Sequence, residues 1–138
     1  MLKNISVSIG LLILRVSFGG LMLVHGWQKL AAYGDLAGKF PDPIGMGSQL
    51  SLLATIIAEF GCSILLILGL GTRLAALILG FTMAVALFIV HGDDPWQKKE
   101  LAAVFLAVYA TLLVTGGGPI SVDMSILKIF QRKKTQPE

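Results

Sequence analysis

"LLILRVSFGGLMLVHGWQKL", residues 11–30, is a helix-length apolar run with an arginine at its centre and a histidine and a lysine at its far end. A span of about 20 apolar residues crosses a bilayer as a helix. A charge at its centre costs about 2.5–3.5 kcal/mol even on the mildest insertion scales. Arg15 therefore needs a partner or a polar cavity inside the protein, and the rest of the chain is read for what supplies it.

The composition supports a membrane setting. Of 138 residues, 55% are hydrophobic and 14% charged, with a mean hydropathy of +0.82. A soluble domain of this length carries more polar surface. The net charge of +3 comes mostly from the tail, "KIFQRKK", and gives no reason to expect a nucleic-acid partner. The single cysteine, Cys62, excludes an internal disulfide, a CxxC redox pair and a cysteine-cluster metal site. Set mid-span beside Glu59, it reads as a small packing residue.

The expected fold is all-α: one domain over residues 1–138, a four-helix transmembrane bundle with a short C-terminal interfacial helix. The spans fall at about 5–26, 50–70, 73–91 and 100–116. The second is interrupted only by Glu59, and the third, "LAALILGFTMAVALFIV", has no charge. The fourth, "LAAVFLAVYATLLVT", is short, and Gly116–Gly118 lengthen it. Those three glycines lack the Lys-Ser/Thr of a phosphate loop, so they read as a helix-ending turn. A cleaved signal peptide is disfavoured, since Arg15 breaks the apolar run and "HGWQKL" is a poor cleavage context. After Pro119, Ser121 is placed to cap "SVDMSILKIF", which puts Val122, Ile126 and Ile129 on one face, as an interfacial helix does. Its "QRKK" end reads as a topology signal attracted to anionic lipid.

Lysine and arginine in the flanks set orientation. Lys3, Arg73, Lys128, Arg132, Lys133 and Lys134 outnumber Lys29, Lys39, Lys98 and Lys99 across the bilayer. This predicts both termini in the cytoplasm and places Trp27 and Trp96 at the outer boundary.

Counted from the inner ends of their helices, Arg15 lies roughly 15 Å deep in the first span and Glu59 roughly 16 Å deep in the second. Ser48, Thr55, Glu59, Cys62 and Ser63 form one stripe; Arg15, Gly19, Met22, Gly26 and Lys29 form another. Such stripes face protein rather than lipid. The expectation is a structural ion pair between Arg15 and Glu59, with Tyr109 at the same depth, either hydrogen-bonded to one of them or serving packing alone. The pair reads equally well as a functional core or as a device that only fixes helix register.

At the outer boundary, His25 ends the first span and His91 the third, with Lys29 one turn on and Asp93, Asp94 and Glu100 nearby. The loop "AAYGDLAGKFPDPIGMGS", residues 31–48, lies over them as a lid. Arg15, His25, Lys29, Glu59 and His91 are thus the candidate ligand-binding residues. His25 and Lys29 would donate to a carbonyl oxygen, and a histidine can relay a proton. The alternative is that these polar groups only mark the water boundary. No HxxxH or HxH spacing exists, so no metal site is expected.

"LRVSFGGLMLVHGWQKL", "AEFGCSILLILGLGTRLAAL" and "GGGPISVD", in that order, resemble the DoxX family of small four-helix membrane proteins over nearly the whole chain. The resemblance carries Arg15, Gly19, His25, Gly26 and Lys29, then Glu59, Gly61, Gly69 and Arg73, then Gly116, Ser121 and Asp123. It implies a link to membrane quinone in sulfur-compound oxidation, or to oxidative-stress and detoxification systems. No haem, flavin or iron–sulfur motif is present in the sequence.

Two functions are compatible with these features. One is a membrane subunit of a quinone-linked oxidoreductase or detoxification system in the bacterial inner membrane, holding a quinone-like molecule and working with an oxidoreductase partner. The other is a non-catalytic scaffold for a partner membrane protein. A transporter is disfavoured in a monomer without an inverted repeat, though self-association would change that.

Overall fold

The computed structural model describes residues 2–134. Met1 and residues 135–138 lie outside it, as do the side chains of residues 2 and 3, including the Lys3 used in the orientation argument. Among the described residues the chain is helical and has no strand.

Helix α1 (Leu2–Ala31) is followed by a single turn, α2 (Tyr33–Leu36), and by the lid loop. The second apolar helix is composite: α3 (Ser48–Ile56), a π-helical segment (Ile57–Cys62) and α4 (Ser63–Leu68). The third is α5 (Thr72–Val85) continued by a π segment (Ala86–Val90). Then come α6 (Trp96–Thr115) and α7 (Val122–Lys134). Among the described residues, three helices are long and apolar enough to cross a membrane: Asn4–Ala31, Ser48–Leu68 and Thr72–Val90. The polar start of α6, "WQKKE", keeps it out of that set.

Helices α1, α4, α5 and α6 surround a core of Met22, Cys62, Leu66, Leu79, Met83, Phe105, Tyr109 and Leu112. Cys62 packs there as a small apolar residue. Many large side chains point outward instead, among them Ile13, Phe81 and Phe88. A helix with apolar residues on its exterior as well as its interior suits a lipid environment.

Two glycines set the register of the first helix against the second. A Cβ on Gly26 would lie 2.5 Å from the Phe60 backbone nitrogen, and one on Gly19 would lie 2.8 Å from Ile67 Cγ1. Spaced seven residues apart, they share a helix face and let the two backbones meet closely. Gly26 consequently stands opposite Glu59 and Phe60, and Gly19 opposite Ser63.

That register overturns the predicted Arg15–Glu59 pair. Arg15 is level with Gly69, at the end of α4, because the helix ends are not flush. Residues 2–14 of α1 run past that level, about 20 Å of helix.

Arg15 closes a knot at this end of the bundle. Its side chain is fully buried, and Nη2 donates to the Ile120 carbonyl. The "GLGTR" turn beside it uses glycine twice in the left-handed region, Gly69 at φ 71° and Gly71 at φ 58°. Asp123 then accepts from the backbone N–H of Gly71 at 2.8 Å and of Thr72 at 3.1 Å. It thereby caps the α5 N-terminus, where helix N–H groups lack internal partners. The Asp123 N–H in turn donates to the Gly69 carbonyl. Ser121 Oγ donates to the Gly118 carbonyl at 2.7 Å and accepts from the Met124 N–H at 3.3 Å, so it caps α7 as expected. Arg73 Nη2 donates to the Val114 carbonyl near the end of α6.

Candidate functional site

At the opposite end, the lid loop, the second helix and the third helix enclose a cavity of about 440 Å³. Ligand pockets fall in the range of about 300–1,000 Å³. Phe40, Pro41, Pro43, Ile44 and Met46 roof it, and the two helices form its walls. Its lining is mostly apolar, with Lys29, Glu59 and His91 as its ionisable groups.

Lys29 supplies the partner that Glu59 needs. Its Nζ lies 2.6 Å from Glu59 Oε2, with the carboxylate nearly wholly buried and the lysine about one-quarter exposed. The long lysine side chain reaches the site from one turn beyond Gly26, which holds the two helices together at this level. Glu59 Oε1 has no hydrogen-bond partner among the described residues. The π-helical segment Ile57–Cys62 carries Glu59, and the second π segment, Ala86–Val90, leads into His91. π-Bulges recur at functional sites because the extra residue per turn redirects a side chain. Neither segment is signalled by local composition.

His91 Nδ1 lies 2.7 Å from Asp94 Oδ2. The His91 hydrogen bond, helped by the charges of Lys98 and Lys99, holds the Asp94 carboxyl below its usual range. Asp42 organises the lid. Its carboxylate accepts from the N–H groups of Met46 (2.8 Å) and Gly47 (2.9 Å) and from Ser51 Oγ (2.9 Å). The Gly47 bond first, then the Ser51 bond, lower its pKa. Ser48 Oγ donates to the Phe40 carbonyl and ties the loop down a second time. Asp42 was not singled out from the sequence, although Asp-Pro followed by Gly45, Gly47 and a helix start is a recognisable turn-and-cap pattern.

Of the five candidate ligand-binding residues, the fold brings Lys29, Glu59 and His91 together and leaves out two. Arg15 is in the knot at the other end. His25 packs edge-on against Phe105 of α6, with ring centroids 6.1 Å apart. One residue is 100° of helix rotation, so the step from Gly26 back to His25 turns the ring from the second helix toward α6. Phe18, seven residues earlier, meets the same ring at 5.5 Å. Of the two readings of Tyr109, the structure shows packing: the residue is in the core and its hydroxyl is buried with no hydrogen-bond partner among the described residues.

The fold and this cavity define a small helical integral membrane protein with a roofed, mostly apolar pocket, holding a few ionisable groups, between two of its apolar helices. The family model for DoxX matches residues 10–92, and the chain belongs to the DoxX family. It is 30% identical to Inner membrane protein YphA of Escherichia coli, over 82% of this chain and 87% of that one. It is 30% identical to an uncharacterized protein of Haemophilus influenzae, over 83% and 89%. It is 28% identical to a Bacillus subtilis protein named "Putative oxidoreductase CatD", over 91% and 92%. No solved structure matches the chain.

Proposed function

We propose that this protein is the membrane subunit of a quinone-linked oxidoreductase or a redox or detoxification system and holds a quinone-like or other small redox-active molecule in the roofed cavity. The observation that carries the reading is the buried Lys29–Glu59 pair, set with His91 in an otherwise apolar chamber. A planar ring fits the apolar walls, Lys29 offers a hydrogen bond to one of its oxygen substituents, and His91 faces the same chamber. Ile78 and Phe81 line the cavity and are also exposed on the outer face of the third helix, which suits entry of a lipid-soluble molecule from the side. The oxidoreductase name of the Bacillus subtilis relative agrees with this reading. Electron transfer would require a partner protein carrying a redox cofactor.

In this reading α6 is the fourth span. Its 20 residues reach about 30 Å, and its packing against α5 shelters a helix with a polar start. Helix α7 lies along the membrane surface, with Ile126, Ile129 and Phe130 toward lipid and a basic last turn toward headgroups. Both termini face the cytoplasm of a bacterial cell, as the charge bias indicates. The whole chain acts as one domain.

The test is mass spectrometry of molecules retained by the protein purified in mild detergent, comparing wild type with Lys29→Ala and His91→Ala. Retained quinone or hydroquinone in the wild type, reduced in both variants per mole of folded protein, is the expected result. Wild-type protein that retains no quinone-like or other redox-active molecule, and whose loss from membranes leaves quinone-dependent oxidation unchanged, would overturn the proposal in favour of a scaffold.

A further inference from the structure

The polar groups of the cavity are matched to one oxidation state of such a ligand. A Thr or Ser hydroxyl has one hydrogen to donate and two lone pairs. In this cavity each of those hydrogens is already used. Thr55 Oγ1 donates to the Ser51 carbonyl at 2.8 Å, Thr82 Oγ1 to the Ile78 carbonyl at 2.9 Å, and Ser51 Oγ to Asp42 at 2.9 Å. All three residues line the cavity and can offer a ligand only lone pairs.

His91 points the same way. Its Nδ1 faces the Asp94 carboxylate, which only accepts, so Nδ1 carries the hydrogen. In its neutral form the ring presents Nε2 as an acceptor. Glu59 Oε1, with no partner among the described residues, is a further acceptor and the strongest of them. Against these stands a single donor group, the Lys29 ammonium, already sharing one hydrogen with Glu59 Oε2.

We infer that the cavity selects a ring bearing hydroxyl donors, a hydroquinone, over the corresponding quinone. This inference rests on the function proposed above and specifies its ligand. A ligand hydroxyl beside the ion pair would accept from Lys29 and donate to Glu59 Oε1. A second hydroxyl would donate to one of the remaining acceptors. A quinone carbonyl can take only the lysine hydrogen. Elsewhere it would meet lone pairs and a carboxylate with no hydrogen between them, a mismatch that rejects an analogue more strongly than any lost apolar contact.

The test is equilibrium binding to the full-length protein in detergent, under anaerobic conditions, with three probes: a short-chain hydroquinone, its quinone and its dimethyl ether. The hydroquinone is expected to bind at least tenfold more tightly than either of the others. Thr82→Val and Thr55→Val each keep side-chain volume and remove one acceptor. At least one of them is expected to weaken hydroquinone binding several-fold while leaving quinone binding unchanged. Quinone or diether binding as tight as the hydroquinone would overturn the inference and leave the proposed function standing. Failure of all three probes to bind would remove both. The wild-type comparison decides the matter even if a variant does not fold.

Discussion

Lys29 and Glu59, thirty residues apart in the chain, form an ion pair of 2.6 Å across the interface of the first and second apolar helices. The carboxylate is buried, so removing the lysine leaves a charge with neither water nor counter-ion. Breaking a buried pair by removing one partner is more costly than replacing both. Lys29→Met is therefore expected to lower stability by about 2 kcal/mol, the scale of a hydrogen bond to a charged group. Lys29→Met combined with Glu59→Gln should recover part of that loss. Thermal unfolding in detergent, run as a double-mutant cycle, measures it.

Gly26 and Gly20 lie on the same helix and predict opposite outcomes. A methyl group at Gly26 would meet the Phe60 and Glu59 backbone at 2.5–2.9 Å, whereas nothing lies within 4 Å of one at Gly20. Gly26→Ala is expected to wedge the helices apart and reduce the yield of folded protein. Gly20→Ala should be neutral or stabilise by up to about 1 kcal/mol, as alanine does in a helix interior. Melting temperatures of the two variants provide the comparison.

In the turn, Gly69 and Gly71 both adopt positive φ, but only one is crowded. A Cβ on Gly69 would stand 1.8 Å from Arg15 Nη1, while one on Gly71 meets nothing within 4 Å. Gly71→Ala should cost about 1–2 kcal/mol, the conformational penalty alone. Gly69→Ala adds a collision with a fully buried guanidinium and is expected to abolish folding. Protein abundance in membranes, compared between the two, separates strain from crowding.

The lid carries a pH signature. The carboxyl of Asp42 is held below its usual range by the Gly47 N–H, then the Ser51 hydroxyl, so the folded form favours the charged state. A group with a lowered folded pKa contributes stability that is present above its unfolded pKa, near 4, and is lost as pH falls through the lower folded value. Lid order should therefore be constant from neutral pH to about 4 and fall only under stronger acid. Asp42→Ala should loosen residues 40–47 at neutral pH, with wild type and variant converging in acid. Hydrogen exchange of the loop amides reads both effects.

Much of the architecture was legible before any coordinates. The runs through Arg15, Glu59 and Met83, the stops at Gly69 and Gly116, the cap at Ser121 and the lid over residues 31–48 follow from local composition. Membrane insertion, helix breaking and capping depend on neighbours in the chain, so sequence alone specifies them. Lys29, Glu59 and His91 were candidates for the same reason: they are ionisable groups where the chain is otherwise apolar.

The partnerships were decided only in three dimensions. Helical periodicity tells which residues share a face but not how far one helix slides along another. That offset is fixed by the close approaches at Gly19 and Gly26. It gives Glu59 to Lys29, sends Arg15 to the Ile120 carbonyl, and turns His25 onto Phe105. The reach of Asp123 to the α5 N-terminus likewise depends on packing between distant parts of the chain. The sequence determined an apolar helical membrane protein with a few ionisable side chains; steric fit between helices determined which of those side chains meet.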